Sequence, residues 1–228
     1  MSALFCLPIA FTASTSGSFP ASNTNIDQPG MIFRGTSLTV TFASQSIDTV
    51  AIIGNQTGTV SLSGGVTASK AAFTGAKDPS VTTKTVFNFG AITASTITIT
   101  FASSCDIQRV IIGKSVITDG IDIAAEQTFE DPSVFTSGPG YVGVDVYPTL
   151  PSWRIRCSWI SDAQWRSEFW PLFVKAGVSK AVLFLRDYED ATTHQHEATF
   201  GRLSVPAKGT HNNHNNWVVE TTLTSLTP

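Results

Sequence analysis

The stretch Leu38–Gly54, LTVTFASQSIDTVAIIG, decides the fold, because it returns almost residue for residue as Ile97–Gly113, ITITFASSCDIQRVIIG. The two copies begin 59 positions apart (97 − 38). The pattern of each copy is typical of a strand, a short polar turn and a second strand. The repeat therefore predicts that the N-terminal half is a β-sandwich made of matched hairpins. Chance similarity between two β-rich segments is the other explanation, and it leaves the prediction of strands unchanged.

The order of side chains within each copy is the physical reason for predicting strands. Leu38, Val40 and Phe42 alternate with threonine and alanine, and the second copy repeats this pattern. A period of two sends the apolar side chains to one face, and β-branched residues suit a pleated, half-buried surface. The runs Val50–Ile53 and Val110–Ile112 are continuously apolar, which predicts strands that are covered on both faces.

Composition limits the classes of function. The chain has 228 residues, enough for one large or two ordinary domains. Only 14% of the residues are charged and 42% are hydrophobic, which indicates that other subunits cover part of the surface. The net charge of −3 provides no basic footprint for nucleic acid. No apolar run approaches the roughly 18 residues that span a bilayer, so neither nucleic acid nor a membrane is an expected partner.

The N-terminal segment and the cysteines indicate in which cellular compartment the chain matures. Residues 1–11 lack a positively charged start and contain Pro8, so we predict a first strand rather than a signal peptide. Cys6, Cys105 and Cys157 are widely spaced and odd in number, which predicts reduced, buried thiols and argues against a disulfide framework and a zinc site. We expect the chain to mature in the cytoplasm, without a cofactor.

A change of composition predicts the domain organisation. Residues 1–115 contain no Glu, His, Trp or Tyr, whereas residues 116–228 contain thirteen acidic residues and every His, Trp and Tyr of the chain. Such a shift usually marks a domain boundary. Three glycines and three prolines between Thr136 and Pro151 argue against continuous regular structure there. We therefore predict a sandwich over 1–115, an extended Gly/Pro-rich arm or linker over 116–152 and a smaller β domain over 153–228.

The smaller domain is predicted to contain one amphipathic helix over residues 162–176. Ser161 followed by Gln164 forms a capping box at its start, and Gly177 is well placed to end it. Pro171 removes one hydrogen bond and predicts a kink. Helical periodicity places four apolar side chains on one face. They are Trp165, Phe169, Leu172 and Phe173.

Strands are predicted on both sides of this helix. In the strand Arg154–Trp159, the side chains of Ile155, Cys157 and Trp159 alternate with polar ones, so these three are expected to point inward. Three further strand-like runs follow the helix and predict a meander. They are Lys180–Arg186, Ala198–Val205 and Trp217–Leu223.

The segment Thr12–Gly35 resembles the opening of galactose-binding-like (discoidin-type) sandwiches that are attached to phage tail proteins. The matching residues are PASN at 20–23, Asp27-Gln28-Pro29 and the pair Phe33-Arg34, although the family usually has Trp at the position of Phe33. The resemblance implies a galactose-binding-like β-sandwich and suggests a sugar site. This half lacks the Trp and Tyr on which such sites commonly stack a sugar, so a purely structural sandwich is the favoured interpretation. The polar candidates for a ligand site are Asn23, Asn25, Asp27, Arg34 and Asn55.

Residues Trp153–Leu223 resemble the core domain of tail-tip proteins of long, non-contractile-tailed bacteriophages, the distal tail protein type. The matching motifs are the strand Trp153–Arg156, the helix start Ile160–Trp165 and the strand Phe200–Leu203. The resemblance implies a non-enzymatic virion structural protein of the tail tip or baseplate, synthesised in the host cytoplasm. Its implied partners are copies of itself in a symmetric ring and other tail tube and tip proteins. The alternative is a carbohydrate-binding tail protein that contacts host surface glycans.

Catalysis has little support from the residues. Glycan hydrolysis needs two carboxylates that face each other across a cleft. The one acidic cluster in the middle of the chain, Glu126, Glu130 and Asp131, precedes Pro132 and is predicted to be a solvated turn. The sequence contains no GxSxG elbow, HExxH helix or phosphate-binding glycine loop. We therefore predict that the protein is not an enzyme.

Four histidines form two pairs that could supply metal ligands, His194 with His196 and His211 with His214. An extended chain would place the first two rings on one face. The strand Ala198–Val205 would separate the two pairs by roughly 20 Å, at about 3.3 Å per residue. We therefore predict solvated loop tips and no metal site within one subunit, while histidines of neighbouring subunits could still meet on a symmetry axis.

Tryptophans are the strongest candidates for subunit contacts, because Trp is enriched where subunits bury their hot spots. Trp153, Trp170 and Trp217 are the three that periodicity does not assign to an apolar face. A symmetric ring closes through a head-to-tail contact between two different patches of each subunit. We predict that these three tryptophans and the Gly/Pro-rich arm contribute to that contact.

Overall fold

The computed structural model describes residues 2–15, 17–28, 30–78, 80–118, 125–213 and 215–228. The described chain is mainly β, as predicted, and none of its helices has the length and apolar character to cross a bilayer. Its strands are β1 (Ala3–Cys6), β2 (Thr12–Ser14), β3 (Phe33–Gly54), β4 (Thr59–Ser63), β5 (Ala68–Ala71), β6 (Thr83–Gly113), β7 (Ser115–Thr118), β8 (Glu126–Glu130), β9 (Val134–Gly138), β10 (Tyr141–Asp145), β11 (Leu150–Ser161), β12 (Ala181–Leu185), β13 (Thr199–Asn213) and β14 (Asn216–Ser225). Its helical segments are a 3-10 turn (Ala21–Asn25), α1 (Asp162–Gln164), a π-helical turn (Trp165–Phe169), α2 (Trp170–Ala176) and α3 (His194–Glu197).

The strands form two large antiparallel sheets and a separate hairpin. One sheet has the order β2-β3-β6-β4-β5, the other β7-β1-β12-β13-β14-β11-β8, and β9 pairs with β10 alone. The meander β12-β13-β14 confirms the three predicted strands.

Two of the predicted segment boundaries need correction. Residues 3–6, which we assigned to the N-terminal sandwich, form β1 and pair with β7 and β12 of the seven-stranded sheet. Within the predicted arm over 116–152, β8 also belongs to that sheet, and residues 134–145 form the separate hairpin. Local composition could not reveal the pairing of β1, because a short apolar strand buried on both faces fits either sheet.

The two copies of the repeat pair with each other. Thr39 lies opposite Thr98, and their hydroxyl oxygens are 3.2 Å apart. Since Thr98 occupies in the second copy the position of Thr39 in the first (98 − 39 = 59), the copies are related by a local two-fold rotation. The prediction of matched hairpins is wrong in one respect. Neither copy folds back on itself, because β3 and β6 are long strands whose register shifts where the polar turns were expected.

The continuously apolar runs lie between two cores, as their lack of alternation predicted. Val50 and Ile52 pack into the core of the sandwich, whereas Ala51 and Ile53 pack against the seven-stranded sheet, where they meet Phe200. This part of β3 is therefore a middle layer. The sandwich and the seven-stranded sheet share a buried apolar interface, which explains why both faces of the run are apolar.

The predicted helix covers the opposite face of the seven-stranded sheet. The Ser161 hydroxyl accepts a hydrogen bond from the Gln164 amide at 3.1 Å, and Gly177 ends the helix with a positive φ of 50°. A π-helical turn precedes Pro171, which has no N–H to donate to the preceding turn. The predicted apolar face is confirmed. Phe169 and Leu172 are buried, and Trp165 and Phe173 pack against them.

A β-bulge in β11 reverses the predicted orientation of Trp159. The register between β11 and β14 shifts between Cys157 and Ile160. Trp159 adopts φ of 64° and is 78% exposed, while Ile160 takes the buried position. A bulge inserts one extra residue and so interrupts the period of two for a single step. The inward prediction for Trp159 is therefore wrong, although those for Ile155 and Cys157 are confirmed.

Candidate functional site

The hairpin formed by β9 and β10, here called the hairpin arm (residues 134–145), exposes large apolar side chains. Neighbouring residues of a strand point to opposite faces, and successive apolar residues of the arm are all exposed. Phe135 is 73% exposed and Val142 is 74% exposed. Both faces of the arm are therefore apolar and open. The exposed apolar residues of the arm are Val134, Phe135, Tyr141, Val142 and Val144.

The geometry of the arm is set by its two ends. At its tip, Gly140 has φ of 84° after Pro139, the combination that a type II turn requires. At its base, the Tyr147 amide donates to the Ser133 hydroxyl at 3.0 Å, and the Ser133 amide donates to Asp131 at 2.9 Å. The glycines and prolines that predicted irregular structure thus serve as turn residues. A Pro-Gly turn between apolar runs was the sequence signal for a hairpin.

Two of the three tryptophans predicted at an interface pack against other residues of the same chain. Trp153 is only 4% exposed, and its indole N–H donates to the Thr199 hydroxyl at 3.0 Å. The prediction of an interface role for Trp153 is therefore corrected, because the side chain lies in the core. Trp217 is half-buried and stacks on Trp165, with ring centroids 4.7 Å apart.

The exposed tryptophans are Trp170 and Trp159. Trp170 is 55% exposed on α2, so it remains a candidate for a subunit contact. Trp159, which the sequence assigned to the core, is exposed at the bulge of β11. No local signal distinguished Trp159 from the inward residues of its strand, because its orientation depends on the register with β14.

Three of the predicted ligand-binding residues form contacts within the chain, close to the 3-10 turn. The amide groups of Asn23 and Asn25 donate to backbone carbonyl oxygens at 2.7 Å each. A nitrogen of the Arg109 guanidinium lies 2.9 Å from the Asp27 carboxylate. These contacts fold the segment before β3 onto the sandwich, and they also engage the polar atoms that a sugar would need.

The other two predicted ligand residues both bond to Asp106. Arg34 binds Asp106 through two nitrogens, one of them at 2.8 Å, and Asn55 accepts a hydrogen bond from the Asp106 amide at 2.7 Å. The hydrogen bond from Arg34 lowers the pKa of Asp106. The five predicted residues therefore fall into two groups, each with its own partners within the chain.

Two residues of the acidic cluster lie on an edge strand rather than in the predicted turn. Glu126 and Glu130 belong to β8, where a guanidinium nitrogen of Arg154 is 4.0 Å from Glu126. Thr224 donates to Glu130 at 3.2 Å. Asp131 accepts the amide hydrogen bond at the base of the hairpin arm.

The histidines differ from their predicted arrangement. His194 and His196 lie in α3 and not on an extended chain. His194 is buried, and the His196 ring packs edge-on against Phe73 with ring centroids 5.3 Å apart. His211 of β13 packs beside Trp217 of β14. His214 lies outside the described residues. Among the described residues, no three His, Cys, Asp or Glu side chains are arranged to hold a metal ion.

The cysteines are core residues, as predicted. Cys6, Cys105 and Cys157 are all buried and unbonded to one another. Burial raises the pKa of Cys105 to about 12, and it also raises the pKa of Cys6. Both thiols are therefore protonated and unreactive at neutral pH.

A cleft of about 280 Å3 lies where β5 and β6 of the sandwich approach α3. We call it the lysine cleft, because Lys70 and Lys84 line it together with threonine hydroxyls. The Lys84 side chain is 6% exposed, and burial lowers its pKa to about 8. No hydrogen bond or ion pair joins its ammonium group to any residue in the described ranges.

Lys70 and His194 form a defined pair in this cleft. The Lys70 ammonium donates to the carbonyl oxygen of Val86 and to Nδ1 of His194, both at 2.9 Å. Since Nε2 of His194 lies 3.1 Å from the carbonyl oxygen of Tyr188, the ring proton is on Nε2. Burial and the charge of Lys70 lower the pKa of His194, so the ring is neutral at neutral pH. Sequence reasoning missed this cleft, although a lysine within the strand of TTKTVF was a signal.

The fold and these surfaces define a mainly β protein with a sandwich, a second sheet and an apolar arm. Comparison of the chain with protein-family models, with curated proteins and with solved structures finds no match.

Proposed function

We propose that the protein is a non-enzymatic structural protein at the distal end of a phage tail, where its copies form a ring and contact tail tube and tip proteins. The observation that supports this proposal most directly is the hairpin arm, which exposes apolar side chains on both faces. The tail-tip resemblance of residues 153–223 supplies the context of a virion. The low proportion of charged residues, 14%, also favours an assembled state.

The physical argument concerns the stability of the arm. A two-stranded hairpin alone is at best marginally stable in water, and in the described chain the arm pairs with no other strand. Burial of one large apolar side chain contributes about 1.5–3 kcal/mol. Contact with a neighbouring subunit would therefore stabilise the arm and bind the subunits together in one step.

A ring also needs a second patch that receives the arm. Head-to-tail contacts join two different surfaces of each subunit. Trp159 and Trp170 are exposed aromatic groups outside the arm, and aromatic side chains are typical hot spots. We assign the receiving patch to the surfaces around them.

The alternative, a carbohydrate-binding tail protein, lacks a comparable observation. All five residues predicted for a sugar site form hydrogen bonds or ion pairs within the chain. A sugar at that place would have to displace contacts that fold the sandwich. We therefore give preference to the assembly role.

The mass of the purified chain as a function of concentration tests this proposal. We expect wild type to form a closed oligomer, and the double variant Phe135→Ser, Val142→Ser to remain a monomer, because the arm loses its apolar surface. Val205→Ser is the matched control, since it removes an exposed valine on β13. Analytical ultracentrifugation gives the masses. A wild type that stays monomeric at all concentrations, or an arm variant that assembles like wild type, would contradict the proposal.

A further inference from the structure

Lys84 is an unusual residue of this fold, because its side chain is almost completely buried and no opposite charge among the described residues acts on its ammonium group. By strand alternation it shares the face of Val86, which packs toward the seven-stranded sheet. Burying an ammonium group is unfavourable unless it is paired or hydrogen-bonded. The Lys84 side chain has no such partner within the described residues, and it borders the lysine cleft. A buried cation that borders an open cleft is complementary to an anion.

The lining of the cleft contains a second cation, Lys70. Lys70 is fixed at the same wall by its bonds to Val86 and His194. The described residues that line the cleft include no Asp or Glu. The acidic groups beside it are engaged elsewhere, since Asp190 accepts hydrogen bonds from its own turn and Glu197 pairs with an arginine. An anion in the cleft would therefore meet two cations and no carboxylate of the lining.

We propose that the lysine cleft binds a small oxyanion, a carboxylate or a phosphate group, whose charge is held by Lys84 and Lys70. The cleft is close to the lower limit of small-molecule sites, about 300 Å3, which fits a ligand of the size of a single acidic sugar or a free phosphate ion. Lysine binds such groups as a point charge. The site is independent of the assembly role, because the hairpin arm contributes none of its lining residues.

Calorimetric titration of the full chain at constant ionic strength tests this site. The probes are inorganic phosphate, glucuronate and, as the neutral comparison, glucose. We expect saturable binding of at least one of the two anions and none of glucose. Tighter binding of phosphate would identify the free ion as the ligand, and tighter binding of glucuronate would identify an acidic saccharide.

Two variants assign the binding to the cleft. Lys84→Met is expected to weaken anion binding at least tenfold, because it removes the buried cation. The control Lys114→Met removes an exposed lysine on another surface and is expected to leave the affinity unchanged. The proposal is overturned if neither anion shows saturable binding, or if Lys84→Met binds as tightly as wild type.

A pH profile of wild type decides the matter if Lys84→Met fails to fold. The affinity for glucuronate should fall at least tenfold between about pH 7 and about pH 10, as Lys84 loses its proton. The other titratable groups around Lys84 are Lys70 and His194 in the same cleft, and Asp78 and His196 in the adjoining one. A flat profile over this range would contradict the assignment.

Discussion

At the scale of single residues, Trp159 combines exposure with backbone strain. A left-handed conformation costs a residue with a Cβ roughly 1–2 kcal/mol, and Trp159 holds φ of 64° while its side chain contacts solvent. The bulge is maintained by the pairing of the flanking residues with β14. Strained positions of this kind often belong to functional surfaces, which agrees with the receiving patch proposed above.

Two substitutions of Trp159 distinguish the backbone strain at this position from the contribution of the indole to self-association. Trp159→Gly is expected to be about 1 kcal/mol more stable than Trp159→Ala, because glycine adopts positive φ without a clash. Both variants should weaken self-association, since both remove the indole. Urea denaturation of the monomer gives the stabilities and ultracentrifugation gives the association. Equal stability of the two variants would show that the backbone there is relaxed.

Lys84 makes the stability of the fold depend on pH. Its pKa is about 8 in the folded protein, against an ordinary value of 10.5. Between these values the unfolded chain binds more protons than the folded chain, so the free energy of unfolding rises with pH. The gain is at most about 3–4 kcal/mol, at about 1.4 kcal/mol per pKa unit.

Urea denaturation of wild type and Lys84→Met at pH values on both sides of this window measures the effect. Wild type should gain stability relative to the variant as the pH rises, because methionine carries no proton to lose. A constant difference between the two proteins would show that the buried ammonium group has an ordinary pKa.

At the scale of the elements, both copies of the repeat end in a glycine, and both glycines are required for the same reason. Gly113 occupies the position of Gly54 (113 − 54 = 59), and both lie where another segment crosses closely. A Cβ on Gly54 would collide with the carbonyl oxygen of Asp106, and a Cβ on Gly113 would lie 2.7 Å from the carbonyl oxygen of Leu7. The two copies therefore share their side-chain pattern and also a close backbone approach at the same position.

Alanine substitutions test this close packing. Gly54→Ala and Gly113→Ala are each expected to reduce the free energy of unfolding by about 1–3 kcal/mol, because backbone atoms must move to admit a methyl group. Gly90→Ala is the matched control on β6, where a Cβ would meet nothing within 4 Å. The control should be neutral or slightly stabilising. Denaturation midpoints that are the same for all three variants would contradict the packing argument.

Local patterns predicted the elements well and their partners poorly. The alternation from Leu38 to Phe42, the capping box at Ser161 and the stop at Gly177 correspond to contacts that lie close in sequence. The pairing of β1 with β12 and the bulge at Trp159 depend on residues far along the chain. A period of two identifies a face of a strand, but it contains no information about which strand lies beside it.

At the scale of the whole molecule, the sandwich is inserted between two neighbouring strands of the second sheet. β1 and β7 pair with each other, although the sandwich separates them in sequence. The middle layer of β3 and β6 then packs on the same sheet through Phe200 and Leu183. The hairpin arm is thus attached to a body whose two sheets share an apolar interface, while the arm's own apolar side chains are exposed.

The candidate surfaces were only partly predictable from the sequence. The arm was expected between residues 116 and 152, and its glycines and prolines predicted its exposure but concealed its strands. Among the tryptophans, Trp170 was predicted at the surface, whereas Trp153 lies in the core. The lysine within TTKTVF was a signal, but the cleft itself could not be predicted, because α3 lies far in sequence from β5 and β6.

The central claim is that a neighbouring copy covers the hairpin arm, and hydrogen exchange of its backbone amides measures this directly. The rates are compared in the purified protein above and below the concentration at which copies associate. The assembly role predicts that amides of residues 134–145 exchange at least tenfold more slowly in the oligomer, because a covered hairpin opens less often. Equal exchange rates of the arm in monomer and oligomer would contradict the claim.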